Sequence, residues 1–138
     1  MSPVNRESSG VAVIFNGNIL LAKRVEKWEG KPVPYGGYWS IFGGRIEDGE
    51  SPKECASREL EEESQIKCNP EDLIFIKSFV ENGNRFHFHI LEVDHLLFPK
   101  LNEEHTASGW YLTNSLDSFT EKIDQKIIEC VEIYLKNV

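Results

Sequence analysis

Residues 51–65 carry the strongest folding instruction in this chain, a helix whose start is written out locally. Ser51 can cap the helix, Pro52 stands at its first position, and Glu54 completes a capping box. Arg58, Glu59, Leu60, Glu61, Glu62 and Glu63 follow. Residues three and four apart share a helix face, so Glu59, Glu62 and Glu63 are expected to point the same way with their carboxylates close together. Ala56 and Leu60, four apart, lie to one side and can face a sheet.

The rest of the chain supplies that sheet. Two apolar runs, residues 11–15 and 19–22, flank Asn16-Gly17, a hairpin turn signal. Residues 25–37 are rich in Gly, Pro and charge and read as a loop. Residues 38–42 read as a short aromatic strand, followed by Gly43-Gly44. Residues 73–80 and 86–93 read as strands joined by a turn at 81–84. Residues 97–108 read as a loop and 109–112 as a short strand. Ile123, Ile127, Val131 and Tyr134 or Leu135 recur at helical spacing, which predicts an amphipathic C-terminal helix. Strands with two helices in separate places predict a mixed fold with helices packed on a sheet. At 138 residues the chain fits a single domain spanning 1–138, with residues 1–10 expected to be a flexible N-terminus.

Charge narrows the function. The net charge is −8, which argues against non-specific binding to nucleic acid or to anionic membranes. It also means that an anionic substrate would be repelled unless cations sit at the site. Cys55, Cys68 and Cys130 are widely spaced, without a CxxC pair, and suggest neither a disulfide framework nor a zinc site. The N-terminal stretch lacks the apolar core of a signal peptide, and no apolar run reaches membrane-spanning length. A cytoplasmic protein is the expectation.

Three like charges on one helix face are unfavourable by a few tenths of a kcal/mol per pair when unpaired. The plain reading is a solvated acidic face with basic partners, but Lys53 and Arg58 are the only basic residues in the helix. A cluster of carboxylates suits hard cations such as Mg2+ or Mn2+, which prefer oxygen ligands. Such ions can clamp phosphate oxygens and activate water.

The segment closely resembles the signature of the Nudix hydrolases, Gly-x5-Glu-x7-Arg-Glu-apolar-x-Glu-Glu-x-Gly-apolar. Gly44, Glu50, Arg58, Glu59, Leu60, Glu62, Glu63 and Ile66 match it, and Gln65 stands where the family has glycine. At ordinary composition the matched core has a chance on the order of 10⁻⁸ at any one position. The resemblance implies an α/β/α sandwich with a mixed central sheet. It implies a metal-dependent pyrophosphohydrolase that cuts a diphosphate linkage in a nucleotide-type small molecule, with Mg2+ or Mn2+ as cofactor. The other class of reading is a catalytically silent binding module of the same fold, against which the complete set of signature acids argues. An unrelated acidic interaction helix does not fit the spacing.

Carried over by position, Glu59, Glu62 and Glu63 would be metal ligands, with the Gly44 carbonyl a further one. Arg58 would orient Glu59 by a charged hydrogen bond, and Glu50 would support it. Gly43 and Gly44 would let the backbone come close to metal and phosphates, although a plain turn needs glycines too. The base varies in the family: Glu104 on a downstream loop is favoured over Glu103, with Glu59 the first suspect within the helix. Gln65 replaces a residue that eases the chain out of the helix, so this exit is expected to be rearranged. Phe42 stands where many relatives carry proline.

Lys23, Arg24 and Arg45 are candidates to meet substrate phosphates, and Trp39, or Tyr38, to stack a base; surface charges and an aromatic core are the plainer readings. His87 and His89 alternate on one strand face but lack a third metal ligand, so packing or substrate contact is the expectation. Trp110 is expected in the core. Between Phe79 and Arg85 there is neither the proline suggestive of ADP-ribose hydrolases nor the tyrosine suggestive of dinucleoside-polyphosphate hydrolases. This tilts the expectation toward nucleoside triphosphates or a broad nucleoside diphosphate-X range. A homodimer is compatible with the sequence.

Overall fold

The computed structural model describes residues 4–137. Strand β1 (Arg6–Phe15) turns through Asn16-Gly17 into β2 (Asn18–Arg24). Both turn residues have positive φ, 46° and 78°, the mirror-type turn that matches the twist of paired strands. Asn82 and Gly83, at 51° and 77°, make the same turn between β7 (Ile74–Glu81) and β8 (Asn84–Glu92). A third such turn, Glu29-Gly30, folds the stretch expected to be a loop into a small hairpin of β3 (Lys27–Trp28) and β4 (Lys31–Pro32). Glutamate is a poor turn residue, so local chemistry did not announce it.

The central sheet is mixed. β1 runs parallel to β8 over Arg6 to Ile14, and the other pairings are antiparallel. On its other side β1 has two partners in succession: Ser8 to Val11 pair with β6 (Phe42–Arg45), and Val13 to Phe15 pair with β2. Three sequence expectations change for this reason. Residues 6–10, expected as a flexible N-terminus, are instead the first half of β1, because backbone partners on both sides outweigh their polar composition; residues 1–3 of that stretch lie outside the described residues. The single strand expected at 38–42 is divided, since β5 (Trp39–Ser40) pairs with β2 whereas β6 pairs with β1. The loop expected at 97–108 ends early, because β9 (His105–Leu112) pairs along the whole of β2, with an irregularity at Lys23/Arg24.

Helix α1 (Pro52–Ser64) covers one face of the sheet and α2 (Gln125–Lys136) lies against the other. Alternation along the strands divides the core accordingly. Val11, Val13, Leu20, Ala22 and Phe42 meet Ala56 and Leu60 of α1, while Ala12, Ile14, Ile19, Leu21, Phe88 and Ile90 meet Ile127, Cys130 and Val131 of α2. The result is an α/β/α sandwich. Among the described residues no helix is long and apolar enough to cross a membrane.

The capping box of α1 forms in full: the Glu54 N–H donates to Ser51 Oγ at 3.1 Å and the Ser51 N–H to Glu54 Oε1 at 2.8 Å. Gln65 ends the helix in the left-handed region at φ 63°, its N–H donating to the Glu61 carbonyl at 2.8 Å. The exit keeps the glycine-type geometry with a residue that adopts it reluctantly. Gln65→Gly removes a strain of about 1–2 kcal/mol and costs about 0.4–1 kcal/mol through the unfolded chain. The net gain expected is about 0.5–1 kcal/mol, seen as a higher denaturant midpoint at unchanged slope; a lower midpoint would mean that the Gln65 side chain contributes more than its backbone strain removes.

Candidate functional site

Two glycines bring strand β6 against helix α1. Gly43 faces Gly10 of β1, and a Cβ on Gly43 would stand 2.7 Å from the Ser9 carbonyl oxygen and 2.8 Å from Gly10 Cα. A Cβ on Gly44 would stand 2.4 Å from the carboxyl carbon of Glu59. No other residue leaves room for these approaches, which place the Glu59 carboxylate on the Gly44 backbone. The Gly43 N–H donates to Glu63 Oε1 at 3.0 Å, and the buried Cys55 thiol donates to the Gly44 carbonyl at 3.5 Å.

Arg58 organises the acids around it. It forms a two-armed bridge to Glu50, Nε to Oε2 at 2.7 Å and Nη2 to Oε1 at 3.0 Å. Nη1 donates to Glu59 Oε1 at 2.9 Å and to Glu62 at 3.2 and 3.3 Å, and Nη2 to the Arg45 carbonyl at 3.0 Å. Arg58 holds the Glu50 carboxyl below the usual carboxylate range, and these acids raise the already high pKa of the guanidinium.

Oxygens of Glu59, Glu63 and Glu104 lie within 4.8 Å of one another. Glu62, expected beside Glu59 and Glu63, lies outside this trio. Its side chain is 55% exposed and turns to Arg58, four residues back. Glu104 reaches the trio from the loop before β9, whereas Glu103, exposed like Glu104, lies outside it. Glu63 is 1% exposed. Burial first, then the hydrogen bond to Glu104 and the charges of Glu104 and Glu59, push its carboxyl up to about 10. Burial also raises Glu59, although Arg58 opposes the shift. Arg58 bridges Glu59 and is shared among several other acceptors, while Glu63 and Glu104 form no salt bridge among the described residues, so the trio is only partly neutralised. Three hard oxygen donors around such a deficit fit a small divalent cation.

The other sequence candidates are dispersed. Lys23 pairs with Glu121 at 3.6 Å on the α2 side. Arg24 donates from Nε to the Pro34 carbonyl at 3.2 Å, and Arg45 is exposed. Trp39 is 6% exposed and packs edge-on against Tyr111 and Phe119 in the α2-side core. The candidate stacking role for it therefore gives way to the plainer core reading, because the ring is consumed by packing. Tyr38 is partly open and lines, with Tyr35, Phe119, Ile123 and Asp124, a cavity of about 570 Å3 on that side. His87 lies between Ser78 Oγ at 2.8 Å and Glu7 Oε1 at 3.1 Å. His89 Nδ1 is 3.1 Å from the Gly10 carbonyl, so the two histidines have separate partners. Trp110 packs in the α1-side core and donates to the Leu97 carbonyl at 2.9 Å, pinning the loop that leads to Glu104.

Two residues near Glu104 escaped sequence reading. His105 is buried against Phe42, neither ring nitrogen has a hydrogen-bond partner among the described residues, and burial holds its pKa down to about 4. Asn102 accepts the Glu104 N–H at Oδ1, 3.0 Å away. An Asn two residues before a polar loop residue is a known turn signal, and it could have been found.

The NUDIX domain family model matches residues 5–129. Among curated proteins, an octanoyltransferase of Myxococcus xanthus is 35% identical over 86 residues, 54% of this chain and 23% of that protein. An 8-oxo-dGTP diphosphatase of Proteus vulgaris is 36% identical over 59 residues, 43% of this chain and 48% of its own length. The chain thus spans less than half the length of either curated relative. The solved structure of a MutT protein from Methanosarcina mazei Go1 shares the fold, with a TM-score of 0.78, 21% identity and coverage of 99% of this chain and 97% of the other.

Proposed function

Because the chain belongs to the NUDIX family, we propose that it is a metal-dependent pyrophosphohydrolase, cutting the diphosphate linkage of a nucleoside diphosphate-X substrate, with nucleoside triphosphates the first candidates. The observation that carries this reading is the trio of Glu59, Glu63 and Glu104, which gathers three carboxylates around the buried Glu63 with only Glu59 bridged to a basic residue among the described residues. The similarity to a diphosphatase of a nucleoside triphosphate supports the substrate class. A cytosolic setting, with nucleotides and Mg2+ at hand, is part of the same reading.

Glu59, Glu63 and the Gly44 carbonyl would hold Mg2+ or Mn2+, with the Glu104 carboxylate completing the set and Glu62 at the solvent edge for a further ion. When bound, the metal supplies positive charge for the phosphate oxygens and Lewis acidity at the reacting phosphorus. Arg58 holds Glu59 in place through Oε1, and Glu50 holds Arg58. Glu104 accepts the proton of the attacking water at its carboxylate. Arg45, which is exposed, and the half-buried Arg24 would be the candidates to meet the outer phosphates.

A screen of nucleoside triphosphates and diphosphate conjugates with Mg2+ and with Mn2+ tests this. Released phosphate is read with and without added phosphatase and pyrophosphatase. The expected outcome is a nucleoside monophosphate plus the remaining phosphorylated group. Tight nucleotide binding without turnover in either metal would replace the enzyme by a binding module.

A further inference from the structure

We propose that Asn102 is a positioning residue, which ties the loop carrying Glu104 to the C-terminal end of α1 and sets where the Glu104 carboxylate stands. The proposal rests on the reading of Glu104 as part of the site.

The last carbonyls of a helix lack intrahelical donors and must find them elsewhere. In α1 the Ser64 carbonyl accepts the Lys100 N–H at 2.9 Å, and the Glu63 carbonyl accepts the Asn102 N–H at 3.3 Å. The loop therefore takes the place of a further helical turn. Asn102 then reaches forward. Its Oδ1 accepts the Glu104 N–H at 3.0 Å, its Nδ2 donates to Glu104 Oε2 at 3.4 Å, and its carbonyl accepts the His105 N–H at 3.4 Å.

One residue thus contacts the backbone of Glu63 and both the backbone and the carboxylate of Glu104. Glu59 and Glu63 belong to the helix, whereas Glu104 comes from a separate element whose strand pairing begins only at His105. Without the Asn102 side chain, the loop would keep its backbone bonds to α1 at Lys100 and Asn102, the Trp110 bond to Leu97 and the Val25 N–H on the Glu104 carbonyl, but nothing would hold the Glu104 carboxylate itself from this side. A turn that merely shaped the loop would need Oδ1 but not Nδ2. The donor arm, aimed at a carboxylate of the trio, distinguishes positioning from plain loop structure.

The test uses the full chain with Asn102→Ala and Asn102→Ser. Serine can still accept the N–H two residues on, in a weaker version of the turn, but cannot reach the carboxylate. Mn2+ affinity is measured by electron paramagnetic resonance without nucleotide, alongside melting temperature in chelator and kcat and KM for the nucleotide turned over. In Asn102→Ala, Mn2+ affinity is expected to fall about 10-fold and kcat about 10–100-fold, with KM little changed. Asn102→Ser should recover melting temperature but not affinity or kcat. The proposal is overturned if both variants match wild type in Mn2+ affinity and kcat, or if serine restores these together with stability. Glu104→Gln is run in the same series. If that variant also matches wild type, the placement of Glu104 in the site is what fails, and the role of Asn102 falls with it.

Discussion

Glu104→Gln is expected to lower kcat by about 10²–10⁴-fold, the range for removing a general base. Glutamine has nearly the same shape, and its amide oxygen can still accept from Asn102 Nδ2, so the loop keeps its anchor. What is lost is the ability to take a proton from water. KM should change little, because substrate binding does not require the proton to be accepted. Glu103→Gln should be close to wild type, since Glu103 is exposed and outside the trio. Glu59 is the competitor, but its Oε1 is already engaged by Arg58 at 2.9 Å. Steady-state kinetics on the three single variants decide the matter. If Glu104→Gln keeps near wild-type kcat while Glu59→Gln is crippled with its metal affinity intact, the base belongs to the helix.

What could be read from the sequence was local in origin. Ser51, Pro52 and Glu54 start α1 by contacts within one turn, and the Asn-Gly pairs bend the chain with their own dihedral preferences. The placing of Glu59 and Glu63 on one side follows from helix geometry alone. Errors arose where a distant partner decided. Residues 6–10 are strand because β8 and β6 flank them, and β9 starts at His105 because β2 offers a ladder that long. From sequence, Trp39 is open to base stacking or to the plainer core reading, and Tyr111 and Phe119, from elements more than seventy residues away, decide for the core. Glu62 shares the face of Glu59 by spacing, but a basic residue at i−4 draws it outward. Glu104 could be nominated from its resemblance to a family pattern; its distance from Glu63 depends on a loop closure that helix and strand rules do not describe.

The metal-free protein is expected to lose stability as pH rises from 5 to 9, and Mg2+ is expected to reverse that trend. Glu63 has a folded-state pKa of about 10, against an ordinary value of 4.5. Between those values the native state holds a proton that the unfolded chain has released. Stability falls with pH wherever the native state binds more protons, at about 1.4 kcal/mol per pH unit for one full proton. Below the ordinary value both states are protonated and the effect is absent; above the folded value both are ionised and it is complete. Glu59, raised in the same direction by burial, adds to the slope. A bound cation changes the sign, because it needs the carboxylates ionised. Metal affinity should therefore tighten by up to about tenfold per pH unit, with the proton released on binding. The stabilisation, RT ln(1 + [metal]/Kd), rises with it. Glu63→Gln mimics the neutral carboxyl and can still accept the Gly43 N–H. In chelator that variant should show a flatter profile than wild type and exceed it in stability near pH 9. In Mg2+ it should gain little while wild type gains much. Denaturant melts of both proteins from pH 5 to 9, with chelator and with Mg2+, make the comparison. Equal slopes for the two proteins in chelator would mean that Glu63 is already ionised without metal, its charge met by a partner inside the fold, and the case for a cation at this trio would lose its main support.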